Sequence, residues 1–253
     1  MTMDQATTKR AAQLLAEAHR TGSHRDRLPA DLRPRDTDEA YAIEAAIVAG
    51  LGDSIAGWKV AITPDLGVLA GIVLGSRVFA NGAAIPAAKM PMLGVEAEIA
   101  FRFDRPLPAR DTDYGRPDIE AAVTAFAAIE IVDTRFRDYA GTPAIERAAD
   151  FMSNGGFVEG DIRTDWRAID LSGLEATLLV DDVEIVRQVG GHATRDPLVP
   201  AIALANYLRT RGGIAAGRFV TTGTYTGLNH ARPGSQVRAR FAGFGSAEMR
   251  FTT

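Results

Sequence analysis

A chain of 253 residues, 46% apolar and 24% charged, is long enough to bury a sizeable core as one large domain or as a domain with a small cap, and it reads as globular. Its formal net charge of -4 provides no broad basic face for phosphate-driven binding of nucleic acid. The absence of cysteine excludes a disulfide framework, a thiolate nucleophile and cysteine-bound zinc or iron–sulfur clusters, so any metal must be held by oxygen or imidazole.

Residues 1–20 mix Asp4, Lys9, Arg10, Glu17 and Arg20 into an Ala-rich stretch without the apolar run of a signal peptide. No later segment reaches a bilayer-spanning length without charge, so a cytoplasmic protein without membrane contact is expected. Ala11, Ala12, Leu14, Leu15 and Ala18 recur at helical spacings over residues 5–19, with Gly22 placed as a stop. Residues 24–35, with Pro29, Pro34 and many charges, read as a linker over the surface. Asp36 then offers an N-cap with Glu39 three residues on, and Tyr41, Ile43, Ala46, Ile47 and Leu51 supply an apolar stripe up to Gly52. A small helical N-terminal portion, 1–54, is expected to precede a β-rich catalytic domain, 55–253.

In that second part, short β-branched runs broken by glycine predict strands at 58–62, 71–74, 95–103 and 128–132. Further strands are expected at 176–180, 183–188, 219–222, 236–241 and 247–251, the last two joined as a hairpin across 242–246. Helices are expected at 118–126 and 196–209, both packing on the sheet. Gly155-Gly156 and Gly190-Gly191 fit neither a P-loop nor a dinucleotide fingerprint and read as turns.

The chemistry resides in acids and one lysine. In Val95-Glu96-Ala97-Glu98-Ile99-Ala100-Phe101 the two-residue period of a strand puts Glu96 and Glu98 on one side and gives Ala97, Ile99 and Phe101 to a core on the other. Two like charges so close call for either solvent or a hard cation. Glu130 sits inside the apolar run Ala127-Ala128-Ile129-Glu130-Ile131-Val132, where an unpaired carboxylate would cost several kcal/mol. It either pairs with Arg135 or Arg137, or joins Glu96 and Glu98 in a three-carboxylate site of the kind that holds Mg²⁺ or Mn²⁺. Asp133 competes as a ligand but lies an odd number of residues from Glu130, on the opposite side of a straight strand.

Lys59, in Gly57-Trp58-Lys59-Val60, is a second charge embedded in an apolar strand. It either binds a substrate carboxylate or moves protons, or it snorkels to the surface. Serine hydrolysis is set aside because no Gly-x-Ser-x-Gly elbow exists. His19, His24, His192 and His230 lack metal-site spacing, and the last two read as loop residues. Thr221-Thr222-Gly223-Thr224-Tyr225-Thr226-Gly227 is either a plain turn or a place where backbone N–H groups and hydroxyls meet a small anion.

Taken in order, Gly57-Trp58-Lys59-Val60, the Val95–Phe101 stretch, Ile129-Glu130-Ile131-Val132-Asp133-Thr134-Arg135 and Thr222-Gly223-Thr224-Tyr225-Thr226-Gly227-Leu228-Asn229 resemble the fumarylacetoacetate hydrolase superfamily, in its 2-keto-4-pentenoate hydratase branch. The resemblance runs over nearly the whole chain and includes Asp38-Glu39-Ala40-Tyr41-Ala42-Ile43. It implies an α+β fold, a fumarylacetoacetase C-terminal-like mixed β-roll with flanking helices, usually assembled as a homo-oligomer. It also implies a Mg²⁺ or Mn²⁺ site at Glu96, Glu98 and Glu130, Lys59 as the catalytic residue, and substrate-contacting hydroxyls at Ser153 and Thr226. The implied reaction adds water to a 2-hydroxypenta-2,4-dienoate-type 2-oxo acid through a metal-stabilised enolate, as in aromatic meta-cleavage catabolism.

The same enolate would serve decarboxylation of a vinylogous 2-oxo diacid, then acylpyruvate-type C–C hydrolysis, which rank second and third. One departure from the branch is visible: its hydratases carry an acid in a Pro-Asp-x-Gly-like stretch after the lysine, whereas residues 67–75 contain none and Asp65 lies earlier. That departure motivates a non-catalytic alternative, a companion subunit to a decarboxylase partner. Arg77, near the same stretch, is either a surface arginine or the reader of a second substrate carboxylate.

Overall fold

The computed structural model describes residues 3–253. Helices α1 (Gln5–Thr21) and α2 (Thr37–Leu51) come first, followed by strands β1 (Ile55–Thr63), β2 (Gly67–Leu74), β3 (Val78–Phe79), β4 (Ala83–Pro86) and β5 (Gly94–Phe103). Next come α3 (Arg116–Ala122), β6 (Val123–Val132), α4 (Ala144–Ala148), β7 (Asn154–Arg163), β8 (Glu175–Val180) and β9 (Val183–Val189). The chain closes with α5 (Leu198–Leu208), β10 (Phe219–Thr224), β11 (Asn229–His230), β12 (Gln236–Phe241) and β13 (Gly245–Thr252).

The expected helix ends are where the capping chemistry puts them. Asp4 and Asp36 accept from the Thr7 and Glu39 N–H groups, while Gly22 and Gly52 close the two helices in the left-handed conformation. Residues 24–35 are more than a surface linker: Leu28 and Leu32 are fully buried and share a core with Leu15, Ile43, Ile47, Ile72 and Phe151. Helix α3 stops at Ala122, four residues short of the expected end. Val123 and Thr124 are β-branched and begin β6, where Val123 pairs with Phe103.

Eight strands form the large sheet, in the order β2-β1-β10-β5-β6-β7-β3 with β11 added at β5; the five-stranded sheet runs β4-β13-β12-β8-β9. Alternation along the central strands separates two faces. Ala97, Ile99 and Phe101 of β5 and Ala127, Ile129 and Ile131 of β6 enter the main core with Val237, Ala239, Ala247 and Met249 of the smaller sheet. The other face carries a smaller aromatic cluster, Phe126, Phe157 and Phe219, and beyond it the acids.

β7 is a strand where Gly155-Gly156 had suggested a turn. A Cβ on Gly155 would lie 2.5 Å from the Cβ of Asp133, so glycine here permits close strand approach. Gly190 and Gly191, by contrast, do turn the chain with φ of 69° and 98°. His230 belongs to the two-residue β11, not to a loop.

Glu44 of α2 is buried, and its Oε1 accepts the Ile72 N–H at 2.7 Å. Burial raises its pKa well above the usual 4.5, with Asp150 adding to the effect and the Ile72 N–H opposing it. The native state thus keeps a proton that the unfolded chain releases above its own pKa. Stability from this group is full below that value and declines as pH rises, by about 1.4 kcal/mol per pH unit while the two states differ by one proton. Glu44→Gln is expected to flatten this decline, making the variant the more stable protein at alkaline pH in thermal melts across a pH series. Parallel curves for the two proteins would refute it.

Candidate metal centre

β5 and β6 run antiparallel with Glu96 directly opposite Glu130, and Glu98 follows two residues along on the same face. One carboxyl oxygen from each of the three lies within 4.8 Å of the others. Glu98 and Glu130 are buried and Glu96 is half-buried. Lys59 arrives from β1, which is separated from β6 by β10 and β5, yet its Nζ is 2.6 Å from Glu130 Oε1. Three strand spacings would separate them by ~14 Å in a flat sheet, so the large sheet must curl around this face.

Each acid is held by fixed donors. Glu98 Oε2 accepts from the Thr221 hydroxyl and, at 3.1 Å, from the Gly223 N–H. The threonine- and glycine-rich stretch therefore presents its donors to a carboxyl group of the protein itself, Glu98. Asn154 Nδ2 donates to Glu130 Oε1 at 2.9 Å. Arg135 and Arg137 are engaged elsewhere, with Asp150 at 2.5 Å and Asp26 at 2.8 Å. Asp133 also faces away, accepting the Met92 N–H at 3.0 Å.

The electrostatics of the cluster lack positive charge. Burial first, then Glu130, pushes Glu96 up to about 7 despite Lys59. Burial and the two neighbouring acids drive Glu98 well above its usual range, against the opposing Thr221 hydrogen bond and Lys59. Burial would lower the Lys59 pKa, but Glu130, Glu96 and Glu98 outweigh it and hold the ammonium above its ordinary value. One ammonium balances only one carboxylate, so ionising all three acids would leave two negative charges for a divalent cation to balance. Glu130 Oε2, buried without a hydrogen-bond partner among the described residues, offers a ligand atom where protein supplies none. An all-oxygen donor set of this kind suits a hard ion.

No family model matches the chain. It is 30% identical over 233 residues to a 2-keto-4-pentenoate hydratase of Burkholderia vietnamiensis (strain G4), covering 86% of this chain and 87% of that one. The chain belongs to the 2-keto-4-pentenoate hydratase branch of the fumarylacetoacetate hydrolase superfamily. A 4-oxalocrotonate decarboxylase of Pseudomonas putida is 28% identical over 68% of this chain and 64% of its own. In fold, this branch member superposes on a 4-oxalocrotonate decarboxylase from Pseudomonas putida G7, solved with magnesium and adipate, with a TM-score of 0.87, 23% identity and 99% of each chain covered.

In this hydratase-branch protein the acids and Lys59 open into a cavity of about 340 Å³. Thr222, Gly223 and Thr224 line it, whereas Thr226 does not; its Oγ1 accepts the Ala97 N–H at 3.1 Å, which ties the loop to β5. Arg77 is also off the cavity wall, with its guanidinium donating at 3.4 Å to the carbonyls of His19 and Lys89. A short turn carries it past the end of β2 and away from the acids.

Ser153 is fully buried, and its hydroxyl has no partner among the described residues. It ends a run of three non-glycine residues in left-handed backbone, Phe151, Met152 and Ser153, with φ of 52°, 50° and 60°. Such residues cost roughly 1–2 kcal/mol each, and the run puts Met152 on the cavity wall. Gly71, the ladder partner of Lys59, makes room for it, because a Cβ there would lie 2.6 Å from the Phe151 carbonyl oxygen.

Asp65 occupies the exposed turn between β1 and β2 and does not line the cavity. His192, read as a loop residue, does lie in a loop but is buried against the cavity. Its Nε2 is 2.8 Å from the Thr222 carbonyl, which can only accept, so this nitrogen carries the proton. Nδ1 then accepts from the Thr194 N–H at 3.3 Å, and burial holds the imidazole pKa below its usual value. Asn154 and Arg147 also belong to the site and were missed by sequence reasoning; Asn154 directly follows the singled-out Ser153, while Arg147 carries no sequence signal.

Proposed function

We propose that this chain is a divalent-metal-dependent hydro-lyase that adds water to a 2-hydroxypenta-2,4-dienoate-type 2-oxo acid. The 30% identity with 2-keto-4-pentenoate hydratase over 86% of the chain carries the reaction, and the buried three-carboxyl cluster supports the metal dependence. Glu96, Glu98 and Glu130 would hold Mg²⁺ or Mn²⁺, which when bound supplies Lewis-acid polarisation of the 2-oxo acid's oxygens.

In the reaction the substrate gains a proton at carbon 5 as its 2-hydroxyl becomes a keto group, and water then adds at carbon 4. Lys59 is the proposed catalytic residue. Its Nζ, fixed 2.6 Å from Glu130, holds a proton at the acid end of the cavity and gives it up as the substrate rearranges. Val60, Ala61 and Leu69 on the wall limit solvent around that ammonium. Ser153 does not line the cavity, but its unpartnered hydroxyl, next to the wall residue Met152, supports its assignment as a hydrogen-bonding group for an ordered water or bound substrate.

The helical portion, 1–54, and the β-rich part that bears these residues form the proposed division of the chain. No described helix is long and apolar enough to cross a membrane, and a cytoplasmic setting is part of the proposal. Homo-oligomeric assembly is supported by edge strand β9, which leaves Val183, Ile185 and Val189 exposed.

The test follows the ultraviolet absorbance of 2-hydroxypenta-2,4-dienoate with Mg²⁺ or Mn²⁺ present and identifies the product by mass. A product heavier by one water, formed only with metal, is expected. Carbon dioxide release from a diacid analogue without any hydration would favour the decarboxylase reading instead.

A further inference from the structure

The cavity holds two cationic side chains, Lys59 and Arg147, and only Lys59 has an acid partner. Among the described residues Arg147 makes no ion pair. One of its N–H groups donates to the Tyr139 carbonyl oxygen at 2.8 Å, and its guanidinium stands 5.0 Å over the Tyr139 ring. It is therefore oriented without being neutralised. The neighbouring Glu146 does not relieve it, because that carboxyl is buried and bound to Arg27 and to the Leu28 N–H. These bonds pin α4 and leave Arg147 half-buried on the cavity side. The rest of the wall includes Ile62, Leu69, Met152 and Pro200, all apolar. The cavity thus combines an acid cluster suited to a metal and its chelating 2-oxo acid, an apolar wall, and an unpaired fork of N–H donors.

We propose that Arg147 binds a second carboxylate at the far end of the substrate, so that the substrate class is a dicarboxylic 2-oxo acid or its 2-hydroxydienoate form. This rests on the hydro-lyase reading for the first carboxylate's place at the metal, and it assigns the substrate's tail. A guanidinium meets a carboxylate in a two-bond, charge-assisted geometry that neither Tyr139 nor water reproduces. The volume of about 340 Å³ leaves room for a chain longer than five carbons.

The test is equilibrium binding, which does not depend on turnover. With Mg²⁺ present, titration calorimetry compares 2-oxoadipate with 2-oxohexanoate, of equal length but lacking the tail carboxylate. The wild-type protein is expected to bind the diacid roughly 10- to 100-fold more tightly, the range for a charged hydrogen-bonded pair. In Arg147→Gln the ratio of the two dissociation constants should fall toward one, and Arg147→Lys, which keeps the charge but loses the fork, should fall between. Equal affinities in the wild-type protein, no binding of either acid, or a ratio unchanged in Arg147→Gln would each overturn the inference. The wild-type comparison stands even if a variant misfolds. Failure of hydration in the separate turnover assay, with the diacid preference intact, would overturn the reaction and leave the tail assignment standing.

Discussion

Glu98→Gln is expected to eliminate tight binding of Mg²⁺ or Mn²⁺, and with it turnover, while leaving the metal-free protein as stable as before or more so. The sign follows from the crowding at the site. Burial and two neighbouring acids already drive Glu98 toward its neutral form, so an amide that keeps the acceptor facing Thr221 and the Gly223 N–H removes repulsion in the absence of a cation. Once a divalent ion is present, the same change removes a negative charge from its cage. Wild-type protein at a metal concentration one hundred times its dissociation constant should gain about 2.7 kcal/mol of stability. For a chain of this size that corresponds to a rise in Tm of roughly 5–11 °C. The variant should show almost none of this rise at the same concentration. Thermal melts with and without metal provide the measurement, and an equal metal-induced shift in both proteins would exclude Glu98 from the centre.

Lys59→Met should separate catalysis from metal binding. Loss of a positioned proton carrier is expected to lower kcat by about 10²- to 10⁴-fold. Metal affinity should hold or increase, because an ammonium 2.6 Å from Glu130 Oε1 competes with any cation for that carboxylate. The metal-free variant has a further defect: Glu130 keeps Asn154 but loses its only ion-pair partner among the described residues, a change worth about 3–5 kcal/mol for a buried pair. A bound cation would restore that partner. Metal should therefore stabilise the variant more than it stabilises the wild-type protein. Turnover within a few-fold of wild type would remove Lys59 from the mechanism, and weakened metal binding would contradict the competition.

The acids were legible because alternation is a local property. Glu96, Ala97, Glu98 and Ile99 announce two faces within four residues, and Glu130 stands out against its apolar flanks. Their convergence depends on a register between segments 34 residues apart, as in Glu96 opposite Glu130, which no local period encodes. Asn154 was hidden by the glycines that follow it, which resemble a turn in sequence but serve strand contact in space. Arg77, read as either a surface arginine or the reader of a second substrate carboxylate, follows the stretch after Lys59 in sequence, but the turn after β2 carries it off the cavity wall. Arg147 had no signal at all, since it sits on a five-residue helix too short for an apolar stripe, and its lack of an acid partner emerges only from packing. Helix α3 was overextended for a related reason: the alanines before Phe126 favour a helix locally, but pairing with β5 claims the segment from Val123 onward.

The pairing of Glu96 with Glu130 places the clustered acids and the main core under the same control. A slip of β5 by one residue against β6 would turn Glu96 and Glu98 toward Val237 and Met249, take Ala97 and Ile99 out of the core, and leave Glu130 behind on the other face. Two acids forced into that apolar interior would oppose the slip in addition to the lost packing. A misregistered chain therefore cannot persist as a folded but inactive protein. Inactive molecules in a preparation should be unfolded or lacking metal, so the fraction that folds sets the number of sites available to bind it.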